Sequence, residues 1–179
     1  FPIPWLFRQF SAWFWVGMFC LQGCGVVLLC RYAYFVCIQI RADVMKTKAV
    51  LELVDIKKIA QAAEAEALKN QWAVTIAIVD DGGHLLWLQR LDGAPAISSH
   101  IAPSKARTAA VGCKDTKVFE DIINNGRTAF LSAPFVDGLL EGGVVIMKDG
   151  QCLGAVGVSG VKSTEDAQVA KAGIAALGL

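Results

Sequence analysis

"EGGVVIMKDGQCLGAVGVSG", Glu141 to Gly160, sets two runs of small and β-branched residues either side of Asp149-Gly150. An Asp-Gly pair accepts the positive φ angles of a two-residue turn, so the stretch predicts a β-hairpin, Val144–Lys148 with Gln151–Val158. Hairpins join antiparallel strands, and that decides the fold class. A second hairpin precedes it: "AVTIAIVD" (Ala73–Asp80), then Asp81-Gly82-Gly83, then "HLLWLQR" from His84 to Arg90. No repeated strand–helix–strand crossover demands a parallel sheet.

Working outward, "DIKKIAQAAEAEALKNQ" repeats Ile56, Ile59, Ala60, Ala63 and Ala67 at the spacing of one helix face, with Asp55 as its N-cap. "GAPAISSHIAPSKARTAAVG" predicts a helix from Ser98 or Pro103 to Val111, its start blurred because proline suits only a first turn or a kink. "TKVFEDIINNG" predicts a short helix ended by Asn125 or Gly126. "STEDAQVAKAGIAALG" predicts a last helix, capped by Ser163 with Asp166 three positions on. The order helix, hairpin, helices, hairpin, helix implies an α+β domain, an antiparallel sheet flanked by helices.

Composition breaks near Met45. Residues 1–44 carry four charged side chains, Arg8, Arg31, Arg41 and Asp43, yet hold eleven of the sixteen aromatics and four of the six cysteines. They form a hydrophobic N-terminal extension, and 45–179 form the domain. "WFWVGMFCLQGCGVVLLC", Trp13 to Cys30, is 18 uncharged residues, at the lower edge for a bilayer span. "MKTKAVLELVDIKKIA" reads as a natural start. Three readings of the extension stay open: sequence foreign to the natural protein, a membrane anchor, or a packing arm. A membrane is a partner only if the extension is native. The formal charge of +1 offers no electrostatic reason for a nucleic-acid partner. Cys113 and Cys152, the two thiols of the domain, suggest a reducing compartment, hence the cytoplasm, and no disulfide framework.

The spacing of Gly154, Gly157 and Gly160 excludes a dinucleotide fingerprint, and the G-K-[ST] of a phosphate loop is absent. A hydrolase elbow fails because Gly160 directly follows Ser159. These are structural glycines, which strip a strand of side chains where another backbone or a flat ligand comes close. The two histidines, His84 and His100, lie in no metal-binding spacing, and no metal site is expected. His84 follows a turn, where an exposed imidazole is commonplace. His100 shares a helix with Ser98, Ser99, Lys105, Arg107 and Thr108. Lys105 and Arg107 form either a solvated face or a receiver for an anionic group. Arg90 and Asp92 end the first hairpin, as a plain turn or as a loop capping a pocket.

Taken together, "RLDGAPAISSHIAPSKARTA" (Arg90–Ala109), "EGGVVIMKDGQCLGAVGVSG" and "STEDAQVAKAGI" (Ser163–Ile174) resemble the GlcG/HbpS-like haem-binding family over Leu51 to Leu179. The resemblance implies a profilin-like domain, a five-stranded antiparallel sheet in a three-layer α/β/α arrangement, assembled as a homo-oligomer. It implies roles in glycolate, diol or glycerol use, or in haem binding. Its K-A-x-T-A motif falls on Lys105, Ala106, Thr108 and Ala109, with a threonine there as a haem contact, and its GG motif on Gly142 and Gly143. Val144 stands where many relatives carry proline. The ligand-binding set expected is His100, Lys105, Arg107, Thr108, Gly142 and Gly143, with the pocket between the Ser98–Val111 helix and the glycine-rich hairpin. The leading expectation is an accessory protein that binds a small ligand, haem or a related tetrapyrrole. The alternatives are an enzyme or enzyme partner using His100 as general base, and an oligomeric structural component using the GAVGVSG strand at a subunit contact.

Overall fold

The structure, a computed structural model, describes residues 47–134 and 136–179; the expectations for Trp13–Cys30 and the rest of the extension lie outside the described residues. Lys48–Leu179 forms one compact unit. It runs α1 (Leu53–Lys69), β1 (Thr75–Asp80), β2 (Leu85–Arg90), α2 (Ser98–Gly112) and α3 (Thr116–Asn124). A 3-10 turn (Thr128–Ser132), β3 (Gly143–Lys148), β4 (Gln151–Ser159) and α4 (Ser163–Ala175) follow.

Both hairpins form, and their strands make one sheet in the order β2-β1-β4-β3, antiparallel at every pair. Among the described residues the sheet has four strands rather than the five the resemblance implied, because the two hairpins supply all of them. Asp149 and Gly150 both take positive φ, 49° and 76°, the mirror-image turn whose twist matches the flanking strands. Strand β4 lies between β1 and β3, so it offers no free edge for a subunit contact.

Helices pack on both faces of the sheet. On one, α1 and α4 bury Ile56, Ile59, Ala63 and Val169 against Ile76, Ile78, Ile146, Val156 and Val158. On the other, α2 lays Ala102, Ala106, Ala109 and Ala110 on Ala77, Val79 and Ala155. The first face is a thick layer of branched side chains that supplies most of the apolar burial. The second is thin, and it brings helix backbone close to strand backbone. The side-chain period of two puts Val156 and Val158 on the first face and Ala155 and Gly157 on the second.

Gly157 shows how close that approach is. A Cβ there would press on the Ala102 carbonyl oxygen and lie 2.6 Å from the Ala106 nitrogen, both in the α2 backbone. What comes close to this strand is a helix. A flat ligand has no room between α2 and β4, which closes the pocket position expected from sequence. Gly154 and Gly160 meet other backbone instead, the carbonyl of Val79 in β1 and that of Ala73 just before β1.

Two helix starts depart from expectation, and a third settles on the earlier of its two expected positions. In α1 the N-cap is Glu52, and Asp55 sits inside the first turn, its carboxylate accepting the Glu52 N–H at 3.2 Å. In α4 the N-cap is Lys162, whose N–H donates to Glu165 at 3.2 Å. Asp166 is thereby released to point inward. In α2 the helix begins at Ser98, with Pro103 inside its second turn. The Ser98 hydroxyl anchors that start: it donates to the Pro95 carbonyl and lies 2.6 Å from the Thr75 hydroxyl of β1. Among the described residues, no helix is long and apolar enough to cross a membrane.

Candidate functional site

The six expected ligand residues divide into two groups. Lys105, Thr108, Gly142 and Gly143 are buried together, whereas His100 and Arg107 are exposed on the outer side of α2.

The buried group is a junction of four elements. Lys105 Nζ donates to Asp166 Oδ2 at 2.9 Å and to the Val158 carbonyl at 3.1 Å, joining α2 to α4 and β4. Asp166 Oδ1 accepts the Val161 N–H at 3.2 Å. The glycine pair gives this lysine passage past the sheet. A Cβ at Gly142 would stand 2.6 Å from Lys105 Nζ, and one at Gly143 would stand 2.5 Å from the Lys105 carbonyl oxygen. The Thr108 hydroxyl accepts the Gly138 N–H at 3.2 Å, and the Thr116 hydroxyl accepts the Gly143 N–H at 2.9 Å. Burial pushes the Asp166 carboxyl above the usual carboxylate range, and the Lys105 hydrogen bond and charge oppose this only in part. Lys105 is thus no part of a solvated face, and its ammonium is already paired.

The exposed group borders a different surface. Ladder pairs Ala77↔Leu88 and Val79↔Leu85 put both leucines on the α2 side of the sheet. They are nonetheless 45% and 50% exposed, so α2 leaves β2 uncovered. The stem of Arg107 fixes the relation of helix to hairpin: a Cβ at Gly83, in the β1–β2 turn, would lie 2.8 Å from Arg107 Cγ. His100 precedes Arg107 by two helical turns, about 10 Å along the axis. The result is an open shelf with a floor of Leu85 and Leu88 and the Arg107 stem at its hairpin-turn end, with His100 exposed two turns earlier on the same helix. That donor set suits a haem, which asks for an apolar surface under the ring, a nitrogen ligand for the metal and a cation for the carboxylates. Arg90 does not reach over it. Its Nε and Nη2 donate to the Ala94 carbonyl at 3.0 and 2.6 Å and hold the Asp92-Gly93 loop at the strand end.

Sequence reasoning read His84 as a commonplace exposed imidazole and left it out of the site. Its Nδ1 lies 3.0 and 3.2 Å from the two oxygens of Asp80, whose Oδ1 also accepts the His84 N–H at 2.8 Å. Burial raises the Asp80 carboxyl, but the His84 N–H and imidazole and the Gly82 N–H outweigh it and hold it below its ordinary value. The signal was present as two residues four apart across a tight turn. Among the described residues, no cluster of three or more His, Cys, Asp or Glu side chains is placed to hold a metal ion.

Comparison with known proteins agrees with this fold. The sequence model of a family described as "Haem degrading protein HbpS-like" matches residues 51–175. Protein GlcG of Escherichia coli (strain K12) is 53% identical over 115 residues, covering 64% of this chain and 85% of that protein. The crystal structure of HbpS superposes with a TM-score of 0.70 at 30% identity, over 76% of this chain and 96% of the other. That of a PduOC:heme complex gives 0.66 at 29% identity, over 72% and 95%.

Proposed function

The chain belongs to the HbpS-like family, and from that premise we propose that it is a small-ligand-binding accessory protein whose ligand is haem or a related tetrapyrrole, held on the shelf between α2 and β2. One observation carries the location: His100 and Arg107 stand exposed on one side of α2, two turns apart, and the Arg107 stem lies against the turn that leads into the uncovered leucines of β2. A solved relative of similar fold, PduOC, is a complex with haem. Leu85 and Leu88 would exclude water from one face of the ring. The His100 imidazole would be the nitrogen ligand, and Arg107 would pair with a carboxylate of the ring edge. When bound, the haem supplies an iron centre that the chain's own donor atoms do not. The buried Lys105–Asp166 junction holds α2 at its height above the sheet and so sets the wall of the shelf.

Haemin titration of the full chain is the test. A saturable Soret shift at micromolar protein is expected, with an altered band position in His100→Ala and affinity about tenfold weaker in Arg107→Ala. No saturable shift overturns the reading, and an unchanged band in His100→Ala removes that ligand. Self-association belongs to the same reading; light scattering that finds single chains at high concentration overturns that part.

A second reading, an enzyme or enzyme partner acting on a small hydroxy acid, diol or aldehyde, is favoured by the His84–Asp80 pair. With Nδ1 on the carboxylate, His84 Nε2 faces solvent as a general base. Turnover of glycolate, glycerol or their aldehydes that survives in His84→Ala excludes this role.

A further inference from the structure

Cys113 and Cys152, 39 positions apart, meet at a single carbonyl oxygen. Cys113 is the exposed C-cap of α2, in the left-handed conformation at φ 49°, which residues other than glycine take infrequently. Cys152 is the half-buried second residue of β4, paired with Met147 next to the irregularity in the β3–β4 ladder. The Cys113 thiol donates to the Ala110 carbonyl at 3.5 Å, and the Cys152 thiol donates to the same oxygen at 3.6 Å. Two sulfurs at 3.5 and 3.6 Å from one acceptor lie within about 7 Å of each other. Both are reduced and unbridged.

We infer that Cys113 and Cys152 form a reversible dithiol–disulfide pair, a modification site that exchanges with small-molecule disulfides of the glutathione type. Access orders the steps. The exposed Cys113 thiolate attacks one sulfur of oxidised glutathione, its S–S bond breaks, and one glutathione thiolate leaves and is protonated by water. The Cys152 thiolate then attacks the Cys113 sulfur of the mixed disulfide and the second glutathione leaves. Two protein thiols and one external disulfide become one internal disulfide and two glutathione thiols, with no net gain or loss of electrons. Burial pushes the Cys152 thiol up, and Cys113 and Asp81 add to the rise, so the second step quickens as pH increases. The new bond ties the last turn of α2, one turn beyond Arg107, to the start of β4. It rests on the geometry of the thiols and not on any ligand of the shelf.

The full chain, reduced and then equilibrated in mixtures of reduced and oxidised glutathione, is quenched in acid, alkylated and digested with trypsin without reduction. Trypsin separates the peptides Thr108–Lys114 and Asp149–Lys162. The expected product is these two peptides joined, lighter by two hydrogens than the reduced pair and separated again by dithiothreitol. In Cys152→Ser, glutathione should remain on Cys113; in the wild type that adduct should decay faster at about pH 8.5 than at about pH 7. Separate alkylation of both cysteines in fully oxidised glutathione overturns the pair. So does exclusive linkage of Cys113 to Cys20, Cys24, Cys30, Cys37 or another chain. Because the mapping is done on the wild type, a variant that folds poorly leaves the result standing.

Discussion

Lys105 and Asp166 illustrate how a charge is kept inside a small domain. Each is almost fully buried, and each has a backbone partner besides the other. Removing one charge strands its partner in a medium that solvates it poorly, which costs about 3–5 kcal/mol. Lys105→Met should therefore lower the unfolding free energy in urea by that amount. The double variant Lys105→Met with Asp166→Leu should recover most of the loss, since a well-packed apolar pair removes both desolvation costs. A double variant no better than the single one would mean that Val158 and Val161, left unpaired, dominate the cost. Asp80 works in the opposite sense. Its carboxyl is held below the ordinary value, so its contribution is present above about pH 4 and fades as pH falls through the lowered value. Asp80 is part-exposed, and solvent screens the effect to about 0.2–1 kcal/mol. Asp80→Asn should accordingly be less stable than the wild type near neutrality, and the two denaturation curves should converge in acid.

At the scale of elements, the contact of α2 on β4 governs both fold and site. Its apolar side is built from alanines facing Ala77, Ala155 and Gly157, so helix and strand meet backbone to backbone. Gly157→Val would force its side chain into the Ala102 carbonyl and the Ala106 nitrogen, neither of which is the movable end of a side chain. The expected loss is about 3 kcal/mol or more, read as a fall of about 10 °C or more in the circular-dichroism melting midpoint. A change of midpoint under about 2 °C would show that α2 can lift off the sheet. This contact was half legible in sequence. The every-third-residue glycines announced a close approach, and Asp149-Gly150 and the spacing of Ile56, Ile59, Ala60, Ala63 and Ala67 announced the elements around it. The identity of the approaching group was not legible, because an alanine-rich helix has almost no polar contrast between its faces. For the same reason Lys105 and Thr108 read as neighbours of His100 and Arg107 on a polar side. Lys105 is directed inward by Asp166, 61 positions away, and no local pattern encodes such a partner.

For the molecule as a whole, the two cores decide what can fold alone. The α1/α4 layer runs from Ile56 to Ala170 and the α2 layer from Ala77 to Ala155, so every buried residue of both falls within Lys48–Leu179. The four strands are paired with one another, and the helices that cover them come from the same stretch. A unit of about 130 residues with helices packed on both faces of its sheet buries enough apolar surface to be stable by itself. Expressed alone, residues 48–179 should unfold in one cooperative transition. The van't Hoff enthalpy should be about 90 kcal/mol near 60 °C, the value for full cooperative melting of a domain this size. The same fragment should bind haemin with the affinity of the full chain, because the shelf of Leu85, Leu88, His100 and Arg107 lies wholly inside it. A broad transition with half that enthalpy would mean that the thin α2 layer melts before the thick one. The shelf would then be lost while α1, α4 and the sheet persist, and haemin affinity would fall along the first part of the melting curve.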